Sequence, residues 1–107
     1  MHKLLLGLSV VFFAFFTRAQ QAYEVSGKVL DANSGQSVPY ASVALYSVSD
    51  SSMVDGMATD EQGKFSIKAV NGSYYLKIDF LSYDDFTEEV VIDGQNVDLG
   101  AITLTED

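Results

Sequence analysis

Thr59-Asp60-Glu61-Gln62-Gly63-Lys64-Phe65-Ser66-Ile67 is the stretch from which the fold is read. Asp60 opens a tight turn, where a carboxylate can accept a local backbone N–H. Gly63 closes it, where the chain most often needs a positive φ. Beyond the turn Phe65, Ile67 and Ala69 alternate with Lys64, Ser66 and Lys68. That period of two marks a strand with one buried face. On the near side Met53 to Thr59 is a second extended run. The stretch therefore predicts a hairpin closed by a short loop of about three to five residues.

Working outward, the same pattern recurs. Tyr23 to Asp31 alternates Val25, Gly27 and Val29 with Ser26, Lys28 and Leu30, a first strand. Asp31-Ala32-Asn33-Ser34-Gly35-Gln36 follows as a turn, in which Asp, Asn and Ser fold side chains onto backbone and Gly35 takes the left-handed position. Pro39 has no N–H for a ladder and marks a sheet edge or strand entry. Tyr40 to Val48 is apolar enough to predict a strand buried on both sides. Asn71-Gly72 is a strong short hairpin signal. After it Tyr74, Leu76, Ile78 and Phe80 share one face. Phe86 to Ile92 gives a further strand and Asp93-Gly94 a further turn. In the last run Val97 and Leu99 hold one parity, Ile102 and Leu104 the other, so a β-bulge is expected across Gly100-Ala101. No stretch after Ala19 keeps a helical period. About seven short strands with turns between them predict an all-β fold, an antiparallel sandwich.

The first nineteen residues do not belong to that fold. A basic start, Met1-His2-Lys3, leads into thirteen residues from Leu4 to Phe16 that are almost all apolar, and Thr17-Arg18-Ala19 then places small residues ahead of a cleavage point. Residues 1–19 are expected to be a secretory signal peptide, with the sandwich domain at 20–107. The run is short of the roughly 20 apolar residues that span a bilayer, so no membrane insertion is expected after cleavage. The 107-residue chain has no Cys, hence neither a lipid-anchor thiol nor a disulfide framework. The part from Gln20 onward carries all fifteen acids against four lysines, a net charge of −11. Such a surface repels phosphate backbones and anionic lipid heads and excludes nucleic acid as a direct partner class.

Three ordered blocks then resemble one family, the carboxypeptidase regulatory-like (prealbumin- or transthyretin-like) domain. Gly27-Lys28-Val29-Leu30-Asp31 with Gly35, Pro39, Ala41 and Val43 resembles its opening block. Thr59-Asp60-Glu61-Gln62-Gly63-Lys64-Phe65 matches its T-D-x-x-G-x-F turn. Gly72-Ser73-Tyr74-Tyr75-Leu76 through Tyr83 resembles its G-x-Y-x-L…G-Y strand. Two positions depart from the pattern: Ser82 stands where a Gly often precedes the Tyr, and Asn71 where a Pro often precedes the Gly. The resemblance implies a prealbumin-like, Greek-key sandwich in which Gly27, Asp31, Gly35, Pro39, Asp60, Gly63 and Gly72 are structural turn positions. With Pro39 to Tyr46 and Asp98 to Leu104 as they stand, the chain is similar to the periplasmic N-terminal extension of TonB-dependent receptors and related outer-membrane barrels. That similarity implies an exported domain of the periplasm or outer membrane, with a barrel or TonB-system protein as its partner.

The catalytic inventory is short. The one His is His2, within the leader, and no Cys exists to act as nucleophile or soft metal ligand. No cofactor motif occurs. Asp84-Asp85 with Glu88-Glu89 admits an acid pair or a calcium site, but lacks the Asp-x-Asp-x-Asp-Gly loop, and the set reads as edge charge that discourages sheet pairing. Tyr46, Tyr75 and Tyr83 fall on the exposed parity and form the candidate contact surface. The reading is a non-enzymatic accessory domain of the outer membrane. A secreted module that binds glycan or protein is the alternative.

Overall fold

The computed structural model describes residues 20–107; the expected leader and its cleavage site lie outside the described residues. Seven strands form: β1 (Tyr23–Asp31), β2 (Ser42–Ser47), β3 (Met53–Ala58), β4 (Lys64–Ala69), β5 (Gly72–Asp79), β6 (Phe86–Ile92) and β7 (Val97–Leu104). They build two sheets, one ordered β4-β1-β7 and the other β3-β2-β5-β6. The alternation seen in the sequence is what closes the sandwich. Val25, Val29, Phe65, Ile67, Ile102 and Leu104 project from the first sheet. Val43, Leu45, Tyr74, Leu76, Ile78, Val90 and Ile92 project from the second. Burying one large side chain of this kind stabilises the fold by about 1.5–3 kcal/mol, so this set is what offsets chain entropy in a domain with no disulfide.

All neighbouring strands run antiparallel except β1 and β7, which pair in parallel. The chain enters β7 from β6, in the opposite sheet, and crosses over, so no hairpin reverses its direction against β1. The bulge forms where the parity switch predicted it. Ser26 pairs with Asp98 and Lys28 with Ala101, so β7 spends one extra residue. Gly100 takes φ +68° there, with its N–H donated to Asp98 Oδ1 at 2.9 Å.

The pairing around the opening stretch differs from expectation. β3 and β4 do not form a hairpin: β3 pairs with β2, and β4 with β1 in the other sheet. The local turn is nevertheless the one its residues dictate. Gly63 N–H donates to Asp60 O at 2.9 Å, and Asp60 Oδ1 accepts the N–H groups of Gln62 and Lys64. Contacts at its two ends send the chain across the layers. Thr59, only 1% exposed, donates its hydroxyl to Val38 O at 2.8 Å and accepts the Ala41 N–H at 2.9 Å. Gly63 O accepts the Val29 N–H at 2.7 Å, which seats the far end on β1. Asn71-Gly72 likewise connects the two sheets instead of closing a hairpin. Its Asn71 Oδ1 accepts the Gly94 N–H at 2.7 Å, tying the crossing to the β6–β7 turn.

β2 is shorter than expected and buried on one face only. Val43 and Leu45 are buried, Ala44 and Tyr46 are half-buried, and Ser42 is exposed. It lies between β3 and β5, and none of the described strands packs on the outer side of its sheet. Pro39 sits in the turn ahead of it, where Tyr40 takes φ +64° and donates its N–H to Thr59 O.

Candidate functional site

The outer face of the four-stranded sheet carries two of the three candidate tyrosines. Tyr46 on β2 and Tyr75 on β5 are register partners, and their rings stack at 5.2 Å with 15° between planes. Met53 pairs with Tyr46 on one side and Glu89 with Tyr75 on the other, so one row across the sheet reads Met53, Tyr46, Tyr75, Glu89. The next row is Gly56, Ala44, Lys77 and Thr87, small apart from the cationic Lys77. The result is an apolar centre with an acidic end. Because the two rings cover one another, their facing sides are not free to stack on a planar or sugar ligand; ring edges and hydroxyls remain.

Tyr83 does not join them. It lies in the loop between β5 and β6, where its ring stacks on Phe80 at 6.0 Å and its hydroxyl donates to Asp31 Oδ2 at 2.6 Å. Asp31, at the end of β1, is 8% exposed, and its other oxygen accepts the N–H groups of Asn33 and Ser34 at 2.8 Å each. These donors, the phenol first, lower the Asp31 carboxyl to about 2. The same bond, assisted by burial and the nearby charge, raises the Tyr83 phenol to about 12. Asp31 is thus a hub that joins the first turn to a loop 52 residues away. Sequence reading had both residues in hand, in separate blocks, without a signal that they meet.

The turn positions serve the backbone. Gly27 lies over the Phe65 ring, where an added Cβ would come within 2.9 Å of Cζ. Gly63, at φ +79°, would put a Cβ 2.5 Å from Val29 O. Gly35 also has positive φ, in the turn that Asp31 caps, and Gly72 begins β5.

The acidic set is dispersed. Asp85 approaches Lys77 at 3.8 Å, and Asp84 donates its N–H to Thr105 O. Glu88 shares the core-facing parity of Phe86 and Val90, opposite Leu76, yet is exposed, while Glu89 faces outward. A charge on the inner parity of an edge strand opposes pairing with another sheet. Among the described residues no group of three His, Cys, Asp or Glu is placed to hold a metal ion.

Two layers of this order, with β1 central in one and β2–β5 central in the other, define a prealbumin-like β-sandwich domain. Within that class, the model of the carboxypeptidase regulatory-like domain matches residues 24–105, and the chain belongs to that family. Solved structures agree on the fold. The TIE protein of Bacillus anthracis superposes with a TM-score of 0.67 at 20% identity, over 79% of this chain and 17% of that one. The major pilin subunit of Bacillus cereus gives 0.65 at 18% identity, over 81% and 29%. The 3-chlorocatechol 1,2-dioxygenase of Rhodococcus opacus gives 0.60 at 11% identity, over 83% and 61%. The chain thus spans under a third of the first two proteins and under two thirds of the third. A search of curated proteins returned no match.

Proposed function

We propose that this chain is a non-enzymatic accessory domain, exported to the periplasm, that docks a protein at the outer membrane as part of a receptor-type assembly. The observation that carries the reading is the family match over residues 24–105 placed directly behind a leader-like apolar run. Family membership supplies a rigid sandwich, and its blocks are accounted for by turns and layer crossings, with no group of three His, Cys, Asp or Glu placed to hold a metal among the described residues. The pilin subunits among its structural relatives share the fold at 18% identity or less and the dioxygenase at 11%, which speaks to architecture alone. The contact surface is the Tyr46–Tyr75 face, which continues through the exposed Met53 onto edge strand β3. Tyr83 is committed to Asp31 and is left out of it.

The test is to tag the exported chain, express it in its native envelope and identify what co-purifies at low and high salt. Recovery of an outer-membrane barrel or TonB-system protein, lost in Tyr46→Ala and Tyr75→Ala, is the expected result. Salt should weaken capture, because an acidic domain attracts a basic surface through screened charges. Tight, salt-independent retention on a polysaccharide with no protein recovered overturns the reading in favour of a glycan module. Intact mass of the exported protein checks the leader: a chain beginning at Gln20 is expected, and one retaining Leu4 to Phe16 overturns the periplasmic assignment.

A further inference from the structure

The lysines of this acidic domain are not spread evenly. Of the four, Lys28, Lys64 and Lys68 all lie on the outer face of the three-stranded sheet, fixed there by the register of β1 with β4. Only Glu24 and Asp98 share that face, so it is net positive by one while the rest of residues 20–107 is negative by twelve. Lys28 and Lys64 are direct cross-strand partners. Like charges in that position destabilise a sheet, and an acid at either site would convert repulsion into attraction. Among the described residues the one ion pair within 4.0 Å is Lys77–Asp85, so neither ammonium is ion-paired at that distance, although Asp98 lines the same depression and the Asp60 carboxylate is bonded to the Lys64 N–H at the strand edge. Beside them the bulge opens a shallow depression lined by Ser26, Lys28, Lys64, Asp98 and Gly100. Two lysines paired across strands, with Cβ atoms about 5 Å apart, can bring both ammonium groups to one oxyanion.

We propose that this lysine face is a docking site for an acidic segment of a protein partner, whose carboxylate is held between Lys28 and Lys64. The charge pattern selects the occupant. An island of positive charge in a negative surround is complemented by an acidic spot in a neutral or basic surround, which a protein surface can present. A phospholipid bilayer or polyphosphate is anionic throughout and is repelled by everything outside the island. A second copy of this domain carries the same excess negative charge and is repelled likewise. The inference rests on the docking reading above and adds a second contact face, on the opposite sheet from Tyr46 and Tyr75.

The experiment titrates the isotope-labelled exported chain with an extended peptide carrying two glutamates flanked by lysines, and follows backbone amide shifts. Expected are shifts confined to Ser26, Lys28, Lys64 and Gly100 and their neighbours, with affinity falling about tenfold in Lys28→Gln and in Lys64→Gln. Lys64→Glu should abolish the shifts while raising the urea midpoint, because it replaces a like-charge pair with an opposite one. That rise shows that loss of binding is not loss of fold. No shifts at millimolar peptide, shifts unaffected by either Gln variant, or binding of inorganic phosphate or phosphatidylglycerol vesicles as tight as the peptide's would each overturn the proposal. Partner capture that survives both Gln variants would leave the docking reading standing and remove this face from it.

Discussion

The Tyr83 hydroxyl donates to Asp31 Oδ2 at 2.6 Å, joining the end of β1 to the loop ahead of β6. The same carboxylate caps its own turn through Asn33 and Ser34, so one side chain fixes two connections at one end of the sandwich. The loop it anchors also pairs with the chain beyond β7, Tyr83 against Glu106.

That bond gives stability a pH dependence with a definite sign. The Asp31 carboxyl is lowered to about 2 in the fold, against about 3.9 for an unfolded Asp. Its contribution is therefore complete above about pH 4 and is lost as pH falls through about 2. The Tyr83 phenol is raised to about 12, so its contribution is complete below about pH 10 and is lost as pH rises through about 12. Urea midpoints measured across pH should show both limbs. Tyr83→Phe should lower the midpoint across the plateau and shrink the alkaline limb, and Asp31→Asn should flatten the acid one. Unchanged acid slopes in Asp31→Asn would mean that other carboxylates govern that limb.

Gly63 and Gly35 separate conformation from contact. Their φ angles are nearly equal, +79° and +75°, but an added Cβ meets Val29 O at 2.5 Å at Gly63 and nothing within 4 Å at Gly35. Gly35→Ala should cost about 1–2 kcal/mol, the price of a left-handed L-residue. Gly63→Ala should cost a further ~1–3 kcal/mol, because Val29 donates its N–H to Gly63 O and cannot retreat without breaking the layer crossing. Chemical denaturation of the two variants side by side measures the difference, and equal midpoints would show that the close approach is relieved at no cost.

Ser82 marks where the chain departs from its family and what the departure costs. It takes φ +75° just before Tyr83, a conformation that explains the Gly often found at this position. A left-handed L-residue costs about 1–2 kcal/mol, while a Gly loses roughly 0.5–1 kcal/mol more chain entropy on folding. Ser82→Gly should therefore stabilise the domain by about 0.5–1 kcal/mol and Ser82→Val should destabilise it. A lower midpoint for the Gly variant would show that the serine compensates its strain.

Strand positions, turn chemistry and the bulge were legible because each is encoded within a few residues. Phe65, Ile67 and Ala69 declare their buried face, and Gly100 its left-handed bulge, without reference to anything distant. Pairing was not legible. Asp60 and Gly63 make the same turn whether the chain returns to its own sheet or crosses to the other. The choice is made by Thr59 against Val38 and Ala41, and by Gly63 against Val29, contacts between separate parts of the chain. Tyr46 and Tyr75 were placed on an outer face by parity alone. For Tyr83 parity was a poor guide, because it lies in a loop where side-chain direction does not alternate. The lysine face required the register of β1 with β4, which no single strand reveals.

The crossing also leaves β3 and β4 as neighbouring edges of different sheets, and side chains close the seam between them. Three alternate N–H groups on the free edge of β4 are each met by an acceptor from the preceding segment. Lys64 donates to Asp60 Oδ1 at 2.8 Å, Ser66 to Met57 Sδ at 3.3 Å and Lys68 to Asp55 Oδ2 at 3.0 Å. Asp55 and Met57 reach that far because they pair with Leu45 and Val43 and so share the inward parity of β3. An unpaired edge is a template for another chain, and these acceptors occupy it. Asp55 also takes the Gly56 N–H at 2.8 Å, so its removal frees donors on both edges. Asp55→Ala should lower stability by about 1.5 kcal/mol, the low end for bonds to a charged group because water can reach the freed N–H groups. Its larger effect should be on association, seen as concentration-dependent light scattering at a pH where the parent chain stays monomeric. Asp55→Asn keeps one carbonyl acceptor and should fall between the two. An Asp55→Ala protein that matches the parent in both midpoint and scattering would show that the seam is closed by packing alone.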